Sequence, residues 1–223
     1  MTDMYKLSRR GLLGGFAATS TVTLAACGDD PVPSGPNPDI TPLNALLSAE
    51  YEAIKAYEAG AGVLRMPPTG DPQAAQSAPL LVIAMNWQNH HRAHAVQLAA
   101  AITAIGGTPI TEASVMFTLP NGFTPSVSNV LRLACNKERV AAVTYNRTVK
   151  ALKSTNSRFL AGTIEGDETQ HFIVLYALLK GIVTADAAGL ITNIAEVVPK
   201  PFVVQVGTEM NSLQSVADFT FTA

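Results

Sequence analysis

The sequence predicts an all-α protein, a four-helix bundle with one long crossover between helices 2 and 3 and a C-terminal tail. Three observations carry this. Four segments place apolar residues at alternating spacings of four and three. Their junctions carry helix start and stop signals. Between the second and third segments lie residues 107–125, far more chain than the roughly 2–8 residues that join neighbours in a bundle. The chain of 223 residues has the size of one domain, and at 48% hydrophobic and 14% charged it can bury a core. With 15 Lys+Arg against 17 Asp+Glu its net charge is -2, which offers no basic field to nucleic acid. Two cysteines make neither a disulfide scaffold nor a zinc ribbon.

Residues 1–27 read as an address. Lys6, Arg9 and Arg10 precede an apolar and small-residue run, Gly11 to Ala26, too weak for a stable membrane span. Ser8-Arg9-Arg10-Gly11-Leu12-Leu13 resembles a twin-arginine export signal. Leu24-Ala25-Ala26-Cys27 resembles a bacterial lipobox, in which the cysteine is acylated and becomes the new N-terminus. An ordinary signal peptide with a chance cysteine is the alternative; the order and spacing of the two motifs favour the lipoprotein. The expectation is an exported protein anchored to a membrane through lipidated Cys27, facing the periplasm or the cell surface. Twin-arginine substrates as a class cross the membrane folded, so a metal site could be filled beforehand, away from competing copper and zinc. Residues 28–40 are rich in Pro and Gly and form a linker.

The bundle is expected over 41–183. Thr41-Pro42 reads as an N-cap and a first-turn proline. Leu43, Leu47, Glu50, Ile54 and Tyr57 form the first seam, which Gly60 and Gly62 end. Helix 2 starts between Asp71 and Ser77. Its seam is Leu80, Ala84, Trp87, His91, His94, Leu98, Ala101 and Ile105, stopped by Gly106-Gly107. Helix 3 starts near Ser126 or Ser128, with the seam Leu131, Ala134, Glu138, Ala141, Tyr145, Thr148 and Leu152. Helix 4 starts near Ser154–Ser157, with Ala161, Ile164, Glu168, His171, Leu175, Leu178 and Ile182. The tail, 184–223, is expected to pack on the bundle or to bury a subunit interface, which leaves a homo-oligomer open.

Six polar residues interrupt these seams. Glu50, His91, His94, Glu138, Glu168 and His171 occupy positions the pattern reserves for core. Burying unpaired carboxylates costs several kcal/mol each, and a metal cation removes that cost. An internal repeat strengthens the inference. Glu50 and Tyr57 are seven apart, as are Glu138 and Tyr145; His91-x-x-His94 on helix 2 mirrors Glu168-x-x-His171 on helix 4. A spacing of seven, like i and i+3, keeps side chains on one helix face.

These residues resemble the ferritin-like di-metal carboxylate superfamily. More narrowly, the chain is similar to exported bacterial ferritin-like proteins akin to desiccation-related proteins. The resemblance implies a lone Glu on helices 1 and 3 and Glu-x-x-His on helices 2 and 4. Glu50 and Glu138 match the lone carboxylates, Glu168 and His171 the helix-4 motif, and His94 the helix-2 histidine. His91 stands where the resemblance expects Glu. It implies one or two divalent ions, iron or manganese. The extra imidazole, with only three carboxylates against two divalent ions, opens the site to zinc or copper.

The functional expectation is an exported metal-binding protein. If active, it is a di-metal oxidoreductase acting on dioxygen, peroxide or Fe(II), in the manner of a ferroxidase or peroxidase. The alternative is a non-catalytic envelope or stress protein, or a metal buffer on the same fold. Tyr57 and Tyr145 either bond groups behind the ligands or serve as core aromatics with satisfied hydroxyls. Trp87 and Cys135 read as packing. His90, Arg92, Lys137, Glu165 and Asp167 fall off the seams, as does Gln88.

Overall fold

A computed structural model describes residues 35–181 and 217–222; the expected signal, most of the linker, Ile182 of the expected helix-4 seam and most of the tail lie outside the described residues. Four long helices account for nearly all regular structure in the described part: α1 Ile40–Arg65, α2 Ser77–Ala104, α3 Val127–Ala151 and α4 Thr155–Leu179. The pairs α1–α2 and α3–α4 pack along their lengths, and α1 also contacts α3 as α2 contacts α4. The expected bundle with one long crossover is therefore the observed fold.

The helix ends follow local chemistry, with two corrections to the first helix. Its N-cap is Asp39, two residues ahead of the expected N-cap Thr41, and the Asp39 side chain does not cap its own helix. Instead the buried carboxylate accepts the backbone N–H groups of Lys153 (2.7 Å) and Ser154 (2.8 Å) in the α3–α4 turn. Nor does α1 stop at Gly60 and Gly62; it runs to Arg65. A Cβ at Gly60 would lie 3.1 Å from Val130 Cγ1, so this glycine serves the close approach of α1 to α3. The actual stop is Met66 before Pro67-Pro68, because a residue preceding proline is pushed out of helical geometry.

The other helix starts fall inside the expected windows, but α4 ends at Leu179, short of the expected seam residue Ile182, and Gly181 just beyond takes a positive φ of 67°. A single 3-10 turn, Ala74–Gln76, leads into α2. Beyond Ala104, Gly106 takes a positive φ of 79°, and Gly106 and Gly107 donate back to Thr103 and Ile102, the usual glycine closure of a helix. Ser126 caps α3 by accepting the Asn129 N–H at 3.1 Å, and Ser154 caps α4.

The crossover runs along α1. Asn44 donates to the Thr108 carbonyl and accepts the Ile110 N–H, and Lys55 donates to the carbonyls of Glu112 and Val115. Residues 217–222 dock on α3 through its outward side chains. Asn136 both accepts the Phe219 N–H and donates to the Phe219 carbonyl; Asn129 does the same for Thr222. Arg139 pairs with Asp218 at 2.6 Å.

The core divides in two. One apolar cluster joins Leu43, Leu47, Ile54, Leu98, Ile102, Tyr145 and Ile164. The other joins Tyr57, Leu80, Val127, Leu131, Cys135, Phe172 and Leu175. Glu50, His91, His94, Glu138, Glu168 and His171 are buried as well but belong to neither cluster.

Candidate metal centre

All six polar seam residues converge, each at most 4% exposed. They sort into two overlapping groups. Glu50, His91, His94 and Glu168 form one; His91, Glu138, Glu168 and His171 form the other. Within each group, one ligand atom per residue lies within 4.8 Å of every other. Four such atoms around a common point match the coordination of a divalent first-row metal ion.

The distances define the halves. In the first, His91 Nδ1 donates to Glu50 Oε2 at 2.8 Å. His94 Nδ1 sits 3.5 Å from Glu50 Oε2 and 3.1 Å from Glu168 Oε1. In the second, His91 Nε2 is 3.2 Å from Glu138 Oε1 and His171 Nδ1 is 3.3 Å from Glu138 Oε2.

Three buried atoms decide whether a cation fits here. Both carboxylate oxygens of Glu168 and Nδ1 of His94 have no hydrogen-bond partner. Buried polar atoms are nearly always bonded. His94 Nδ1 and Glu168 Oε1 lie 3.1 Å apart without forming a hydrogen bond, an arrangement that a shared ion would satisfy. The residues present therefore fit a divalent metal.

The charges show the same strain. Burial raises the Glu168 pKa well above the ordinary carboxylate value, and the negative charge of Glu138 adds to it. Burial would do the same to Glu50 and Glu138, but His91 overrides it, helped by His94 at Glu50 and by His171 at Glu138, and both stay low. His91 is held well above its usual value because Glu138 and Glu168 outweigh burial, and His94 is raised because Glu50 does.

A pH dependence follows for the metal-free protein. Raised folded values for His91 and His94 mean a stabilisation complete below their ordinary pKa and lost as pH rises through the folded values. Raised Glu168 acts in the same direction, whereas the lowered Glu50 and Glu138 matter only in acid. The metal-free Tm should fall as pH rises above the ordinary histidine value of about 6.5. With saturating divalent metal the slope should reverse, because protons compete for the same atoms. Scanning calorimetry with chelator and with metal checks both slopes; a metal-free Tm that rises over this range contradicts the assignment.

The supporting groups are arranged with the pseudo-symmetry of the repeat. Tyr57 on α1 donates to Glu138 on α3, and Tyr145 on α3 donates to Glu50 on α1. Each tyrosine thus fixes the lone carboxylate of the other helix. Burial, then the adjacent glutamate, raises both phenol pKa values far above 10, so both remain donors.

Two further groups sit behind the imidazoles. Asp167 Oδ2 is 3.2 Å from His94 Nε2, and His90 Nδ1 is 2.9 Å from His171 Nε2. Trp87 stacks on the His171 ring, centroids 4.7 Å apart. All four histidines of the chain are thereby engaged at one place. Sequence periodicity puts His90 and Asp167 off the seams; their adjacency to His91 and Glu168 was the available signal. Gln88 is buried but serves α1, donating to the Ile54 carbonyl at 3.0 Å. Glu165 accepts from Asn146, outside the centre. Cys135 is fully buried among apolar residues, and burial pushes its thiol pKa up.

An apolar cavity of about 120 Å³ lies between α1 and α3 and reaches Tyr57, His91 and Glu138. Small residues, Ala53, Ala56 and Gly60 facing Ala134 and Ala141, leave this space. The Glu52–Lys137 ion pair, at 2.6 Å, joins the two helices among its lining residues.

Comparison with known proteins places the whole bundle. The ferritin-like domain family matches residues 38–181. A solved structure described as ferritin like, diiron-carboxylate proteins from Bacillus anthracis str. Ames is 26% identical, with a TM-score of 0.50 over 63% of this chain and 94% of that one. A conserved hypothetical protein, rv2844, from Mycobacterium tuberculosis is 22% identical, with a TM-score of 0.47 over 63% of this chain and 96% of that one. No curated protein matches the chain.

Proposed function

We propose, since this chain belongs to the ferritin-like domain family, that its bundle holds a buried pair of divalent metal ions and uses them in redox chemistry. The observation that carries this is Glu168: a carboxylate wholly removed from water, with both oxygens unbonded, shared by two four-residue groups. Glu50, His91 and His94 complete one half; Glu138, His91 and His171 complete the other. The Bacillus anthracis structure, described as diiron-carboxylate, favours iron; the third imidazole keeps zinc and copper as the alternatives.

Bound iron or manganese would supply electrons to dioxygen or peroxide, and Fe(II) bound there as substrate would be the ion oxidised. The chain's own residues would prepare that step. Tyr57 and Tyr145 hold Glu138 and Glu50 in place. Asp167 and His90 hold the outer nitrogens of His94 and His171, which fixes tautomer and ring orientation. The two apolar clusters exclude bulk water, and the α1–α3 cavity offers a small uncharged oxidant a way to His91 and Glu138. We further infer that residues 1–27 export the chain as a lipoprotein, with Cys27 as its anchor.

Elemental analysis of the purified chain tests the core of this reading. Two equivalents of iron or manganese, absent from Glu138→Ala/Glu168→Ala, are expected. Zinc or copper instead would indicate a metal buffer or structural site. No metal under any loading condition, with the double variant still folded, would leave the bundle as a non-catalytic envelope protein.

A further inference from the structure

We propose that His91 is the bridge of the centre, binding one metal ion through Nδ1 and the other through Nε2. This rests on the metal-binding reading above and specifies how the two halves are joined.

The internal repeat identifies the position. His91-x-x-His94 on α2 is the pseudo-symmetric counterpart of Glu168-x-x-His171 on α4. These two residues, His91 and Glu168, are also the ones common to both four-residue groups. A carboxylate can bridge through two oxygens, and an imidazole can do so through two ring nitrogens.

The ring is oriented for that task. Nδ1 faces Glu50 Oε2 at 2.8 Å and Glu168 Oε1 at 3.5 Å, in the first half. Nε2 faces Glu138 Oε1 at 3.2 Å, in the second. Neither nitrogen points at a backbone carbonyl or at solvent, the usual place for the outer nitrogen of a terminal ligand. Both other ligand histidines do keep such an outer partner, Asp167 for His94 and His90 for His171. His91 is 1% exposed, and its ring lies against those of Tyr57, His94 and His171.

Charge balance points the same way. Three carboxylates facing two divalent ions leave one positive charge buried, at a cost of several kcal/mol. A ring bound at both nitrogens has given up its N–H proton, which passes to water as the second ion binds. It then carries the fourth negative charge, and the centre becomes neutral without a fourth carboxylate.

Copper(II) is the probe, because two copper ions joined through one bridging ligand are magnetically coupled and isolated ions are not. The full chain loaded with two equivalents should give the electron paramagnetic resonance spectrum of a coupled pair. With copper in excess until two ions are held per chain, Glu168→Gln should keep the coupling despite its weaker binding, whereas His91→Gln should lose it. At two copper ions per chain, coupling that persists in His91→Gln, or vanishes in Glu168→Gln alone, would overturn the assignment in favour of Glu168 as the bridge. If a variant fails to fold or to hold two ions, anomalous diffraction from the copper-loaded wild type decides. An ion at bonding distance from each His91 nitrogen is expected, and an ion on only one overturns it. A wild type that binds no metal at all would instead remove the underlying metal-binding reading, and the bridge with it.

Discussion

Glu168→Gln should make the metal-free protein more stable and the metal-loaded protein less stable than wild type. In the absence of metal, Glu168 is a completely buried carboxyl with both oxygens unbonded, its ionisation opposed by burial and by Glu138. An isosteric amide removes that electrostatic penalty. The gain at neutral pH should be about 1–3 kcal/mol, the order of the penalty for burying a polar or charged group without a partner. For a chain of this size this is roughly 2–12 °C in Tm. With metal present, wild type gains about 4 kcal/mol when free metal is a thousandfold above Kd, and the variant, lacking the ligand shared by both halves, should forfeit most of it. Thermal melts with chelator and with excess metal should therefore rank the two proteins in opposite orders. The same order in both conditions would show that Glu168 is a structural residue and not a ligand.

Asp39→Ala should be the most damaging substitution outside the centre. The carboxylate holds two backbone N–H groups of the α3–α4 turn, and it is 1% exposed. Removing it leaves both donors without a partner inside the fold, at about 1–3 kcal/mol each. A total loss of about 3 kcal/mol corresponds to roughly 6–12 °C in Tm. Asp39→Asn keeps one acceptor oxygen and should fall between. Urea unfolding of the three proteins measures this, with metal content per folded molecule as the control. A loss below about 0.5 kcal/mol for Asp39→Ala, the range of ordinary surface changes, would mean that the turn is held by other contacts.

Much of the fold was legible in the sequence because a seam is a local, repeating property. Glu50, His91, His94, Glu138, Glu168 and His171 could be picked out since each broke an apolar rhythm that was otherwise kept. What escaped depended on partners distant in the chain. Gly60 looks like a helix stop until Val130 is placed beside it. Asp39 looks like linker until the turn 114 residues later arrives to be bonded. His90 and Asp167 face away from their own seams, and only the packing of α2 against α4 turns them onto His171 and His94. The repeat of Glu50/Tyr57 in Glu138/Tyr145 was visible, but not its crossed hydrogen bonding, in which each tyrosine serves the other helix's carboxylate.

The clamp on residues 217–222 works as a ruler. Asn129 and Asn136 are seven residues apart on α3, a rise of about 10.5 Å. Their partners Thr222 and Phe219 are three residues apart, and three residues cover that distance only when almost fully extended. Both asparagines grip main-chain N–H and C=O groups, which every residue but proline provides. What α3 measures is thus the count of residues between two grips and not their identity. Exchanging side chains along this stretch leaves these main-chain bonds available, though it forfeits contacts such as Asp218 with Arg139 and Phe219 with the second apolar cluster, whereas adding or deleting one residue between 219 and 222 puts the second asparagine out of step with the chain.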